Sequence, residues 1–202
     1  MKKIDALEWY DRILRAATSL SEQRALGAVQ HNGRLVFDEF EDEACWAGRW
    51  ALDSWPFVPD QSEQPTRPGL RFEVWFRPGR NADIPITLML LCAGEPALAP
   101  LRTHLSSVWN ELLKSGKTAG RYQSVEQLDK LALRFDGGAQ GIGRHVSADW
   151  RKVEPALERL MLDTHKVVSS AVDAWRQAGS EIAFNSPPTD PFQALRNKFA
   201  GE

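Results

Sequence analysis

Apolar residues recur at three- and four-residue steps in three stretches of this chain, and at every second position in others. Ala6, Tyr10, Ile13 and Ala17, widened by Leu7 and Leu14, mark an amphipathic helix over residues 3–18. Ser21 is placed to cap a second, shorter helix through Leu26 and Val29, with Asn32-Gly33 as its left-handed stop. Leu101, Leu105, Val108, Trp109 and Leu112 form one stripe over residues 97–114, entered through Pro96 and Pro100 and closed by Gly116. The longest stripe runs over residues 148–178 through Trp150, Val153, Leu157, Leu160, Thr164, Val167, Ala171 and Trp175. Ser147 or Asp149 can cap its start, and Gly179 follows its end.

The period of two is plainest at residues 70–76. Leu70, Phe72, Val74 and Phe76 alternate with Arg71, Glu73, Trp75 and Arg77, the pattern of a strand with one wet face. Residues 84–92 are almost all apolar, so this strand is expected to be central and covered on both faces, paired to the first through a hairpin. A further strand is expected at 34–40. A second hairpin is expected from 121–124 and 130–136, with a short helix over 125–133 as its rival.

These elements compose an α+β fold: an antiparallel sheet of about five strands, helices on one face, a long C-terminal helix and a short tail helix. One domain is expected over residues 1–183. Residues 184–202 read as a Pro-containing linker and amphipathic tail, with Phe192, Leu195 and Phe199 at helical spacing after Asp190-Pro191. The tail is too short to be a stable helix alone and needs a groove, on its own domain or on a partner. The C-terminal helix would reach about 45 Å, longer than such a domain is wide, so part of its stripe is expected to find a second chain.

Charge narrows the classes. With 25 Lys and Arg against 27 Asp and Glu, the chain is not a uniformly basic nucleic-acid or membrane binder, although a local patch is compatible. No apolar run is long enough to span a bilayer, and no charged-then-apolar leader opens the chain, so a cytoplasmic location is expected. Two distant cysteines, Cys45 and Cys92, make neither a disulfide framework nor a zinc site.

Candidate chemistry is sparse. Asp38, Glu39, Glu41, Asp42 and Glu43 crowd carboxylates into one short stretch. Without a calcium-loop pattern, a solvated acidic surface or a docking surface for a basic partner is the plainer reading. Trp46, Trp50 and Trp55 follow at once. Trp46 and Trp50 would share a helix face were the segment helical, and the three are candidates both for core and for a partner-binding patch. Residues 137–143 are glycine-rich ahead of Arg144 and His145, but their order fits neither a dinucleotide fingerprint nor a P-loop, and a flexible loop is the simpler expectation. Glu73 and Asp83 flank the first hairpin as a metal-dependent nuclease would place acids. The companion Glu-x-Lys is missing from the uncharged 84–92 strand.

No catalytic, cofactor-binding or metal-ligating set emerges. The reading is a non-enzymatic cytosolic protein-interaction module: an adaptor, chaperone-like binder or subunit of a larger assembly, itself expected to be a homo-oligomer or part of a complex. The alternative is a nucleic-acid-binding accessory protein or nuclease-like enzyme using Glu73, Asp83, Arg71, Arg77, Arg80 and Arg144.

Overall fold

The computed structural model describes residues 3–40, 43–59, 66–76, 85–114, 118, 120–128 and 138–178. Among these, α1 (Lys3–Arg24) leads into β1 (Val29–Phe40) and β2 (Glu43–Leu52). The short strands β3 (Phe57–Pro59) and β4 (Thr66–Pro68) follow, then β5 (Leu70–Phe76) and β6 (Pro85–Cys92). A 3-10 turn at Pro96–Leu98 opens α2 (Ala99–Lys114). Then come β7 (Gln123–Ser124), α3 (Val125–Leu128), β8 (Gln140–Ser147) and α4 (Trp150–Gln177). The α+β class holds, with one strand more in the main sheet than expected: six, in the order β1-β2-β5-β6-β8-β7, all neighbours antiparallel. β3 and β4 form a separate small sheet inside the proline-rich 55–68 segment.

The three long helices gather on one face. Trp50, Leu52, Leu70, Phe72, Val74, Ile86, Leu88, Leu90 and Ile142 from the sheet share a core with Ala6, Tyr10 and Ile13 of α1, Leu101, Leu105 and Trp109 of α2, and the α4 stripe. The periodicities of α2 and α4 are therefore core-facing as expected. Asp149 caps α4 by accepting a hydrogen bond from the Arg151 amide at 3.0 Å.

Several expectations are corrected. α1 does not stop near residue 18, and Ser21 caps no second helix: it lies in the last turn of α1, buried, with its hydroxyl donating to the Gly27 carbonyl at 2.5 Å. The helix ends in a Schellman arrangement, Leu26 N–H to the Ser21 carbonyl at 2.9 Å and Ala25 N–H to that of Glu22 at 3.4 Å, with Ala25 at φ 52°. Asn32-Gly33 then falls inside β1 rather than at a helix stop. Trp46 and Trp50 stand on a strand, β2, not on a helix. Of the glycine-rich stretch, Gln140 to Gly143 is not a loop but the first half of β8, an inner strand paired to β6 and β7. A side chain at Gly141 would place its Cβ 2.1 Å from the Leu90 carbonyl oxygen, so the glycine there serves close strand approach. Residues 130–136 lie outside the described residues, and α3 occupies the start of the rival helix.

The C-terminal helix does not carry surplus apolar surface. Its 28 residues reach roughly 42 Å at 1.5 Å per residue. Its stripe from Val153 to Trp175 is nonetheless buried by the same chain, with Val153, Leu160, Val168 and Trp175 at most 1% exposed. The chain itself, rather than a partner, covers this stripe. The linker and tail, residues 184–202 with Phe192, Leu195 and Phe199, lie outside the described residues.

Candidate functional site

The second face of the sheet, away from the long helices, is also covered at β5. All seven residues of β5 are buried, so the expectation of a wet face at Arg71, Glu73 and Trp75 is overturned. Cys45, Ala47, Trp75, Met89 and Leu91 pack there with Val125 and Leu128 of α3. Gly143 makes room for this packing, since a Cβ would lie 2.7 Å from Met89 Cγ and 2.9 Å from Leu128 Cδ1.

Glu73 sits in the middle of that face, 1% exposed. The β2–β5 register brings Arg49 opposite it. Arg49 Nε donates to Glu73 Oε1 at 2.8 Å and Arg71 Nε to the same oxygen at 2.7 Å. The indole Nε1 of Trp75 donates to Oε2 at 2.7 Å, and Arg71 also reaches the Pro68 carbonyl at 3.3 Å. Burial alone would raise the Glu73 pKa; the charges of Arg49 and Arg71 and the donors from Trp75 and Arg71 outweigh it and hold the carboxyl at about 2. Both oxygens are engaged and the group stays ionised at neutral pH. This is the chemistry of a structural ion cluster, with no proton to exchange near neutrality. One strand further on, Thr87 Oγ1 and His145 Nδ1 lie 2.9 Å apart on the same face.

The residues singled out from the sequence scatter over the molecule. Trp50 and Trp55 are 0% and 1% exposed and pack on Phe72, Trp50 stacked and Trp55 tilted, with centroids 5.5 and 5.1 Å apart, inside the helix-side core. Trp46 is half-buried against the same core. Asp38 and Glu39 lie on β1 and Glu43 on β2, at the end where Phe40 pairs with Glu43; Glu41 and Asp42 are outside the described residues, as are Arg77, Arg80 and Asp83. Arg71 neutralises Glu73, so these two are spent on each other. Arg144 stands on β8 opposite Leu88, on the helix side, and does not join them. Among the described residues, no group of three or more His, Cys, Asp or Glu is arranged to hold a metal ion.

Two features escaped the sequence. Tyr10 on α1 lays its ring over Gly48, where a Cβ would stand 2.3 Å from it. Its hydroxyl donates to the Arg49 carbonyl at 2.6 Å and accepts from the Arg49 amide at 3.1 Å. This occurs at the level where the β1–β2 register shifts, between His31↔Trp50 and Leu35↔Gly48, so a helix side chain serves backbone groups at an irregularity in the ladder. Burial pushes the Tyr10 phenol well above its ordinary pKa. The second feature is the edge itself. β1 is 12 residues long and closes one side of the sheet, and among the described residues β2 is its one pairing partner. Beside it, against α1, an open groove of about 270 Å³ carries Asp11, Leu14, Arg15, Thr18, Glu22 and His31.

No family model matches the chain, and neither a curated protein nor a solved structure matches it.

Proposed function

We propose that this chain is a protein-interaction module, an adaptor or subunit of a larger assembly, that engages its partner along the outer edge of β1. The supporting observation is that edge. Alternate residues of this twelve-residue strand direct backbone donors and acceptors outward at the end of a six-stranded sheet. Such an edge is a template for an added strand unless charge, proline or a covering element blunts it. Val36, on the edge strand, is one of only two large apolar residues exposed among those described, at 40%. Beside the start of the strand, His31 borders an open groove otherwise lined by α1.

The test is co-purification of the full chain from its own source beside the Val36→Lys variant, whose charge blunts the edge without touching the core. A stoichiometric partner retained by the parent and lost by the variant supports the reading. A partner held equally by both, or none held by either, removes it.

A further inference from the structure

We propose that Arg144 anchors an anion site, shared with Tyr122, Arg121 and Asp163, whose ligand is a small carboxylate. The site lies at β8, near the opposite end of the sheet from β1, and does not rest on the reading of that edge.

An unmatched charge marks the place. Arg49, Arg71, Arg102 and Arg176 are, like Arg144, half-buried or deeper. Arg49 and Arg71 donate to Glu73, Arg102 to the Ala93 and Glu95 carbonyls at 2.6 and 2.7 Å, and Arg176 to the Ser54 carbonyl. Among the described residues, Arg144 alone of this set makes neither a hydrogen bond nor an ion pair. Its Nε is buried without an acceptor, whereas its terminal nitrogens are not sealed in. A guanidinium carries its N–H groups in a rigid fork, so a buried shaft with an open end holds that fork ready to donate. A half-buried cation without an acceptor is costly, and an oxyanion is the partner that relieves the cost.

The neighbours select the ligand. β7 pairs with β8 at Gln123↔Gly143, and one further step of that register sets Tyr122 opposite Arg144. The Tyr122 hydroxyl donates to Asp163 Oδ2 at 2.8 Å, and Arg121 Nη1 donates to the same oxygen at 3.3 Å. Burial and the Asp163 carboxylate keep the phenol protonated, and of the two guanidiniums that act on it Arg144 has the larger effect. Arg121 and Asp163 offset one another, which leaves the single positive charge of Arg144. A monoanion matches it, whereas a phosphate dianion would be repelled more strongly by Asp163. The two oxygens of a carboxylate also fit the guanidinium fork in one plane.

Nuclear magnetic resonance on the nitrogen-labelled full chain at neutral pH tests this. The readouts are the Arg144 Nε–H signal, identified by its loss in Arg144→Lys, and the backbone amides of Tyr122 and Arg144. Sodium acetate is the probe, with sodium chloride and sodium phosphate at matched ionic strength beside it. The expected result is a saturable shift with acetate, none with chloride, and phosphate weaker than acetate. Arg144→Lys keeps the charge but loses the fork, and should weaken acetate about tenfold at the backbone amides. Asp163→Asn removes the nearby negative charge and should tighten acetate several-fold; circular dichroism confirms that both variants are folded. Shifts that follow ionic strength alike in all three salts overturn the proposal, as does an Arg144→Lys protein that binds acetate like the parent. Phosphate binding more tightly than acetate overturns the carboxylate assignment. Unchanged acetate affinity in Asp163→Asn overturns the placement of the ligand beside the Tyr122–Asp163 pair.

Discussion

The two faces of β5 are buried almost equally and are held by different physics. On the helix side, β5 contributes Leu70, Phe72, Val74 and Phe76, each at most 1% exposed, to a core of aromatic and aliphatic side chains. On the other side the same strand contributes Arg71, Glu73 and Trp75, also at most 2% exposed, to a carboxylate held between two guanidiniums and an indole. The first face draws its stability from area removed from water, which is non-directional and tolerates changes of shape. The second depends on each partner being present, because a buried charge that loses its counter-charge has no water to turn to.

Substitution on each side of β5 separates the two most sharply. Glu73→Gln keeps the volume but removes the negative charge held between the Arg71 and Arg49 guanidiniums. The expected loss is about 3–5 kcal/mol in denaturant unfolding. Phe72→Leu, one residue away and pointing to the opposite side, should cost about 1–2 kcal/mol by lost area and a small cavity. Equal losses would show that the cluster is no more demanding than the apolar core.

Acid should separate the faces too. The folded pKa of Glu73, about 2, lies below its ordinary value of 4.5, so its contribution is complete above about pH 5. It shrinks as pH falls through 4.5 and is gone below about pH 2, a loss on the order of 3 kcal/mol. Unfolding free energies of Phe72→Leu measured from pH 6 to 2 should fall with the parental slope. Those of Glu73→Gln should have lost that part of the slope. A variant slope identical to the parent's would place the acid sensitivity in other carboxylates.

What could be read in advance follows the same division. The helices over α2 and α4 and the strands β5 and β6 were legible because apolar side chains at a fixed period report burial directly. The interval from Trp46 to Trp50 misled because four residues return to one face in a helix and in a strand alike. Ser21 suits the start of a helix by composition, yet here it sits in the last turn and bonds forward to Gly27. Gly141 and Gly143 suggested a loop because their role, letting strands and side chains approach, leaves no apolar trace in the sequence. The Glu73 cluster was hidden for another reason. Polarity in alternation says nothing about what covers a face, and Arg49 lies 24 residues away, brought opposite only by the β2–β5 register. The open edge of β1 likewise exists only once the strand order is known.

The smallest expected effect tests whether damage on one face stays local. Ala25 holds φ 52° at the end of α1, a left-handed conformation in which its Cβ meets the backbone and for which glycine is the usual residue. Ala25→Gly removes that strain while giving back some conformational freedom to the unfolded chain, for a net gain of about 0.5–1 kcal/mol. Ala25 is on neither face of the sheet and shares no partner with Glu73. The gain should therefore be the same in the parent and in Glu73→Gln, within about 0.5 kcal/mol. A gain that vanishes in the Glu73→Gln background would mean that losing the ion cluster loosens the α1 end across the sheet. The two faces would then act as one cooperative unit rather than as separately held layers.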